Sequence, residues 1–297
     1  MSASAVPAPG GQASPPVVGR GRSSFRPISV LLHAILMAMT VVYTVPLLWM
    51  LSTSLKLSGH EIVYPPEWIP IPVAWDNYPK VFELLPVALY TRNSLLIAGI
   101  ATVFGVLTAS LAGYGFAHLR FPGRDIMFSL CLSALMLPGI VTLIPEFLLF
   151  KQLGLINTLV PLILPWSLAG SAFAVFLFRQ NALTIPMELD EAARVDGAGV
   201  IRIWIDIILP LSKPVLATMA ILSLTHHWND FLRPLVYLGK PEVRTLALGL
   251  RSFKGEQNLA WNYMMVLAML MLIPILVLFF FFQKQFVQGI VMTGIKG

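Results

Sequence analysis

Four polar side chains of different chemistry lie close together in an otherwise apolar part of the sequence: His226, Asn229, Asp230 and Arg233. Such a set can hydrogen-bond a polar solute, hold a cation or relay a proton. Polar groups at membrane depth are costly and tend to face a cavity or the interior of a helix bundle. We therefore consider these residues as the lining of a solute pathway. In an equally weighted alternative, Asp230 and Arg233 pair three residues apart on one helix and only stabilise it.

The sequence offers little for catalysis or for a bound cofactor. No nucleophile stands beside a base or metal-ligand pair within the apolar runs, which argues against an enzyme. His226 and His227 are expected to point to different sides of a helix, and no third ligand follows at a zinc spacing. Cys131 is the only cysteine, so an intrachain disulfide is excluded. No G-x-x-x-x-G-K-S/T loop is present to hold ATP phosphates, so we expect no cofactor in this chain.

A polar segment from Asn181 to Pro210 separates two long apolar runs. Its first half places Pro186 and several acids where they favour the start of a helix. Gly197 can then supply the left-handed residue that ends such a helix. A second short helix from about Val200 would present on one side Ile201, Trp204, Ile205 and Ile208. The segment therefore predicts a helix, a glycine turn and a second helix.

Two further expectations concern this segment. Asp190 and Arg194 are four residues apart, the spacing of an ion pair on a helix surface. A simpler interpretation of the whole segment is a solvated loop whose amphipathic helix lies on the lipid headgroups.

The spacing within the segment resembles the EAA signature of ABC-importer permeases. That signature reads E-A-A, three residues, G, nine residues, then I-x-L-P. Here Glu191, Ala192 and Ala193 are followed by Gly197 and then by the run ending at Pro210. A long pattern with fixed gaps is far more specific than a short glycine motif. The stretch Trp228–Phe231 and the run Gln283–Gly297 are also similar to maltose-type carbohydrate permeases of that family.

The resemblance implies an all-α, polytopic membrane protein with six transmembrane helices and a cytoplasmic helix-turn-helix coupling loop over residues 181–210. In such permeases this loop docks on a separate ATPase that binds ATP and magnesium. The coupling residues implied here are Glu191, Ala192, Ala193, Asp196, Gly197 and Pro210.

The same resemblance implies several partners: two copies of a cytoplasmic ABC ATPase, a second permease subunit and an extracytoplasmic substrate-binding protein. Solutes of relatives include disaccharides, oligosaccharides and glycerol phosphate. Trp228 could stack on a sugar ring, although the interfacial aromatic belt explains it more simply. Glu146 and the loop 52–93, with Trp68 and Trp75, could receive the binding protein, or the loop could merely connect helices.

Six apolar runs are long enough to cross a bilayer, which takes about 20 residues. We place them at Ile28–Leu51, Ser94–Ala117, Ile126–Phe150, Leu159–Phe178, Leu211–Leu238 and Asn262–Phe282. Pro138, Gly139 and Pro145 interrupt the third run and Pro165 the fourth. Such breaks are tolerated where neighbouring helices satisfy the freed backbone groups.

Charge near the first run indicates its orientation. Residues 1–27 carry Arg20, Arg22 and Arg26 among Pro, Gly and Ser, a composition that predicts a disordered basic tail. Only Lys56 follows the first run closely. Because positive charge favours the cytoplasmic side, we expect both termini of the 28–297 transmembrane domain in the cytoplasm of an inner membrane.

Composition narrows the class of protein further. Hydrophobic residues make up 57% of the chain and charged residues 11%, against about 25% charged in soluble domains. The net charge of +6 does not indicate nucleic acid, because the basic residues lie between apolar runs and form no patch. The main alternative is a secondary transporter driven by an ion gradient, in which Asp230, Glu146 and His226 would carry protons or cations.

Overall fold

The computed structural model describes residues 27–253 and 260–294, and no strand occurs among them. The predicted all-α class is confirmed. The predicted tail lies outside the described residues except for Pro27, which already belongs to the first helix. The chain divides into two compact units, residues 1–47 and 48–297, and the second contains every site discussed below.

Fourteen α-helices are described within these ranges. Helices α1 to α7 span Pro27–Ser54, Asn77–Leu84, Val87–His118, Arg124–Ser133, Gly139–Gln152, Val160–Ala169 and Ala172–Ala182. Helices α8 to α14 span Met187–Val195, Val200–Ile203, Leu209–Leu211, Lys213–Asn229, Leu232–Tyr237, Leu246–Gly249 and Trp261–Gly294. A π-helical stretch, Trp204–Ile208, joins α9 to α10.

Four described segments are long and apolar enough to cross a membrane: Ile28–Ser54, Val87–His118, Val160–Ala182 and Trp261–Gln283. Two bent helix pairs raise the number to six if each pair is one span: Arg124–Met136 with Gly139–Gln152, and Val200–Leu211 with Lys213–Asn229. The chain is thus a multi-pass membrane protein. The count of six remains a prediction.

The third apolar run is not one straight helix. Its two halves meet at an angle of 101°, and the break falls immediately before Gly139. Leu137 has extended backbone, as expected of a residue that precedes a proline, whose ring disfavours the helical conformation at that position. Helix α5 continues through Pro145, so only the first of the predicted interruptions breaks the run.

The fourth run breaks at a glycine rather than at its proline. Helix α6 passes through Pro165 and ends at Ala169, and Gly170 after it has a φ of +61°. Ser171 begins α7 by accepting a hydrogen bond from the Ala174 N–H at 3.0 Å. A serine cap of this kind satisfies a backbone donor that the interrupted helix leaves free.

Helix α3 is the central helix of the second unit, because α6, α7 and α11 all pack along it. Small residues allow this close approach. A Cβ atom at Gly105 would lie 2.9 Å from the Trp166 carbonyl oxygen of α6. One at Gly113 would lie 2.9 Å from the Val175 carbonyl oxygen of α7. Close packing against glycine is typical of transmembrane helix interfaces.

We expect Gly113→Ala to destabilise the protein by about 1–3 kcal/mol, the usual cost of overpacking a well-packed interior. The contact is with backbone, which cannot rotate away, so α3 and α7 must separate. Gly99→Ala on the same helix is the control, because a Cβ there meets nothing within 4 Å. Thermal unfolding in detergent should show a lower midpoint for Gly113→Ala alone, and equal midpoints would contradict the packing argument.

Candidate functional site

The 181–210 segment folds as the predicted helix, glycine turn and helix. Helix α8 ends at Val195 and α9 begins at Val200. Gly197 lies between them with a φ of +81°, in the left-handed region that favours glycine. The Gly197 N–H donates to the Arg194 carbonyl at 3.0 Å, and the Ala198 N–H donates to the Ala193 carbonyl at 2.9 Å. These two bonds form a Schellman motif, which fixes the direction in which the chain leaves α8.

The structure brings most of the predicted coupling residues onto one exposed surface. Glu191, Ala192, Asp196 and Gly197 are exposed, and Ala193 is half-buried. Pro210 is also exposed but lies at the other end of the segment, in α10. The exposed group offers carboxylates and small side chains to a partner, whereas Pro210 ends the connection to α11.

The buried face of the second helix differs from the predicted one. Ile203, Trp204 and Ile208 are buried, whereas Ile201 and Ile205 are exposed. The backbone widens into a π-helix from Trp204, whose hydrogen bonds join residues five apart. That spacing brings Ile203 and Ile208 to the same side. Both belong to the core cluster that also contains residues of α3 and α7.

Asp190 does not pair with Arg194 as predicted. Its carboxylate is 1% exposed and faces the end of α3. The Tyr114 hydroxyl donates to Asp190 Oδ2 at 2.9 Å, and His118 Nδ1 lies 3.1 Å from the same oxygen. Arg194 is exposed at the surface of α8. Asp190 lies on the side of α8 that packs against the membrane helices, whereas Arg194 lies on the exposed side. The Asp190 carboxylate is therefore turned away from Arg194 and toward α3.

Sequence reasoning missed Tyr114 and His118. They are four residues apart near the end of a long apolar run, where a tyrosine and a histidine resemble ordinary interfacial residues. The available signal was their spacing, which places both side chains on one face of a helix.

His226 of the predicted pathway shares one cavity with its neighbour His227, although the two were expected to point to different sides of the helix. The rings of His226 and His227 lie 5.1 and 4.9 Å from the ring of Trp166, measured between centroids. Both line a cavity of about 220 Å³, together with Gly105, Gly170 and other residues of α3, α6, α7 and α11. The break after α6 therefore opens beside the most polar part of α11.

The remaining residues of the predicted pathway lie beyond the end of α11. Helix α11 ends at Asn229, so Asp230 and Arg233 do not share a helix. Asp230 Oδ1 accepts a hydrogen bond from the Arg233 backbone N–H at 3.3 Å. The Arg233 guanidinium instead lies 3.7 Å from the Glu146 carboxylate and 5.1 Å from the Trp166 ring centroid. The predicted side-chain pair is wrong because α11 ends before Asp230 and α12 begins only at Leu232.

Asn229 and Trp228 have structural partners. The exposed Asn229 amide donates to the Thr225 carbonyl at 2.9 Å, one turn earlier. Trp228 is 2% exposed, and its indole N–H donates to the Met271 carbonyl of α14 at 3.0 Å. Neither stacking on a sugar nor a place in the interfacial belt fits such burial. Of the four predicted pathway residues, only His226 lines the described cavity.

Comparison with known proteins places this geometry in a family. A family described as the binding-protein-dependent transport system inner membrane component matches residues 101–292, which include α8, the glycine turn and the cavity. The chain belongs to this family. The matched residues also cover the EAA pattern, so the resemblance to ABC-importer permeases is confirmed.

Two permease proteins align with this chain over most of its length. The arabinooligosaccharides transport system permease protein AraQ of Bacillus subtilis is 33% identical over 283 residues, which cover 94% of this chain and 99% of that protein. The sn-glycerol-3-phosphate transport system permease protein UgpE of Brucella abortus is 34% identical over 279 residues, with 90% and 98% covered.

A solved structure supports the fold of this inner-membrane component. A chain in the crystal structure of a bacterial ABC transporter involved in the import of the acidic polysaccharide alginate aligns with a TM-score of 0.73. The alignment covers 91% of this chain and 99% of that chain, at 22% identity. The family assignment favours the binding-protein-dependent importer over the gradient-driven alternative.

Proposed function

We propose that this permease subunit imports a carbohydrate or a related polyhydroxylated solute, using ATP hydrolysed by a separate ABC ATPase that docks on α8. The observation that carries the proposal is the exposed surface of Glu191, Ala192, Asp196 and Gly197 beside a fixed Schellman turn. A rigid, exposed helix with a defined exit can seat in a partner's cleft and move as one body.

The chemistry of this surface suits such docking. Glu191 and Asp196 offer carboxylates to basic side chains of the ATPase, and charge-assisted hydrogen bonds are among the stronger ones. Ala192 and Ala193 are small, so another chain can approach α8 closely. Closure of two ATPases calls for two docking helices, which implies a second permease subunit with its own loop.

The names of the relatives support a hydroxyl-rich solute. Arabinooligosaccharides, sn-glycerol-3-phosphate and alginate are the solutes in the names of the proteins above, and sulfoquinovosyl glycerol is that of another relative, 30% identical over 252 residues. We propose that an extracytoplasmic binding protein delivers the solute and that both termini of the permease lie in the cytoplasm. The cavity of Trp166, His226 and His227 offers hydrogen-bonding rings to a solute on this route.

Energy coupling requires two states of the membrane helices that differ in their interaction with the ATPase. The ATPase can shift the equilibrium between these states only if it interacts more favourably with one of them. Inward-open and outward-open arrangements are such states. The helix breaks before Gly139 and at Gly170 are hinge positions at which helices of the bundle can change their angle.

The decisive experiment reconstitutes the permease pair, its ATPase and its binding protein in liposomes. We expect uptake of radiolabelled solute to require ATP and to continue after ionophores collapse proton and sodium gradients. Uptake that follows an imposed gradient without ATP would instead establish the secondary-transport alternative.

Solute identity is testable by ligand stabilisation. A solute at 100 times its Kd is expected to stabilise the assembly by about 2.7 kcal/mol, because binding to the folded state alone lowers its free energy. We therefore expect one member of a panel of disaccharides, oligosaccharides and glycerol phosphates to raise the melting midpoint of the assembly with its binding protein. Amino acids serve as controls, and stabilisation by amino acids alone would contradict a carbohydrate solute.

A further inference from the structure

The acids of α8 divide into two kinds. Glu188 and Glu191 are exposed, whereas Asp190 is buried. A carboxylate removed from water is unfavourable unless hydrogen bonds or an opposite charge compensate it. The buried acid therefore requires partners, and all its described partners come from α3.

Two side chains of α3 converge on one oxygen of this acid. The hydroxyl of Tyr114, which is itself fully buried, donates to Asp190 Oδ2 at 2.9 Å. His118 Nδ1 lies 3.1 Å from that oxygen, at charge-pair distance but without the alignment of a hydrogen bond. We call Asp190, Tyr114 and His118 the Asp190 cluster.

The other side of the histidine is also tied. His118 Nε2 lies 2.9 Å from the Ala182 carbonyl at the end of α7. A carbonyl only accepts, so Nε2 carries the hydrogen of this bond, and the contact of Nδ1 with the carboxylate is attractive when Nδ1 is protonated as well. The imidazole thus joins α8, α3 and α7 at one point.

The helix to which α8 is tied reaches the solute cavity. Ala101 and Gly105 of α3 line the cavity that contains Trp166 and His226. Helix α3 also packs along α6, α7 and α11, the other helices around that cavity. The C-terminal end of α3, which contacts Asp190, and the residues that line the cavity belong to one continuous helix. A movement of that end would therefore also move one wall of the cavity.

We propose that Asp190 is a positioning residue that fastens α8 to α3, so that displacement of α8 by the ATPase moves α3 with it. The inference rests on the proposed docking role of α8 but concerns a residue that faces away from the docking surface. Separating α8 from α3 would leave the buried Asp190 carboxylate without the Tyr114 hydrogen bond, and this cost makes the Asp190 cluster resistant to separation.

The test compares Asp190→Asn with Glu83→Gln, two substitutions that each remove one carboxylate charge, the second at an exposed position of α2 away from the docking surface. Each is reconstituted with the ATPase and binding protein, and solute imported is measured per ATP hydrolysed. We expect this ratio to fall about tenfold in Asp190→Asn, within the usual range of coupling between sites. ATP hydrolysis should persist, and Glu83→Gln should keep the original ratio.

Tyr114→Phe provides a milder second variant if Asp190→Asn assembles poorly, since it removes only the hydroxyl. Its effect on the ratio should not add to that of Asp190→Asn, because both act on the same contact. An unchanged ratio per assembled complex in both variants, even with reduced abundance, would overturn the positioning role and leave a structural one. Failure of the docking proposal itself would appear differently, as an unsubstituted assembly that lacks the ATPase.

Discussion

Replacing Gly197 by valine is expected to lower ATP-driven uptake at least about tenfold while the subunit still inserts in the membrane. At a φ of +81° a residue with a Cβ is strained by about 1–2 kcal/mol. A difference of about 1.4 kcal/mol changes a population tenfold. The strain changes the direction of the turn after α8, and an ATPase that moves α8 would then act on a misaligned helix. The measurement is solute uptake normalised to the amount of permease in the membrane.

Gly199→Val is the matched control for this substitution. Gly199 lies two residues further on with a φ of −76° and a ψ of 165°, which valine adopts readily. A Cβ meets nothing within 4 Å at either glycine, so the two variants differ in backbone strain and not in crowding. Equal uptake by both variants would show that the left-handed turn has no part in coupling.

Replacing Glu191 by lysine is expected to abolish uptake by weakening attachment of the ATPase. Glu191 is exposed on α8, so its charge is available to a partner and its loss leaves no buried group unpaired. Charge reversal turns an attraction into a repulsion, and truncating one partner of a buried interfacial pair alone costs about 2–5 kcal/mol. Co-purification of the ATPase with tagged permease measures the effect directly.

Glu83→Lys controls for the general effect of adding positive charge. Glu83 is exposed on α2, outside the 181–210 segment. We expect this variant to retain the ATPase, and Glu191→Gln to retain an intermediate amount. Full retention of the ATPase by Glu191→Lys would contradict a docking role for this carboxylate.

The exposed face of α8 and the glycine turn after it were the most predictable part of the 181–210 segment. Its glycine, its acids and its alanines act through local backbone geometry and through exposure, and both are encoded within a few residues. The Schellman turn at Gly197 needed nothing beyond α8 and the next three residues. Local rules therefore succeeded there.

Contacts between distant segments could not be predicted in the same way. Asp190 finds Tyr114 and His118 only because α8 lies under the end of α3, and the i to i+4 rule pointed to Arg194 instead. The rings of His226 and His227 contact Trp166 beside the helix break at Gly170. The sequence had suggested a break at Pro165 instead, and α6 continues through that residue. Proline is tolerated inside these helices, whereas the left-handed glycine is not compatible with a continuous helix.

The short helix α12 illustrates the same difficulty. Asp230 and Arg233 have the spacing of a helical pair, but α11 ends at Asn229, before both of them, and the Arg233 guanidinium lies beside the Glu146 carboxylate. Side-chain spacing predicts contacts only where the backbone remains helical. The position of a break is set by packing against other helices, which a single sequence does not display.

The most direct test of the coupling role is the accessibility of Ala192→Cys in a Cys131→Ala background. A membrane-impermeant maleimide should label this cysteine in inside-out vesicles and not in right-side-out vesicles, and added ATPase should protect it. Labelling from the outside, or full labelling beneath bound ATPase, would contradict the assignment of α8 as the site where the ATPase drives the permease.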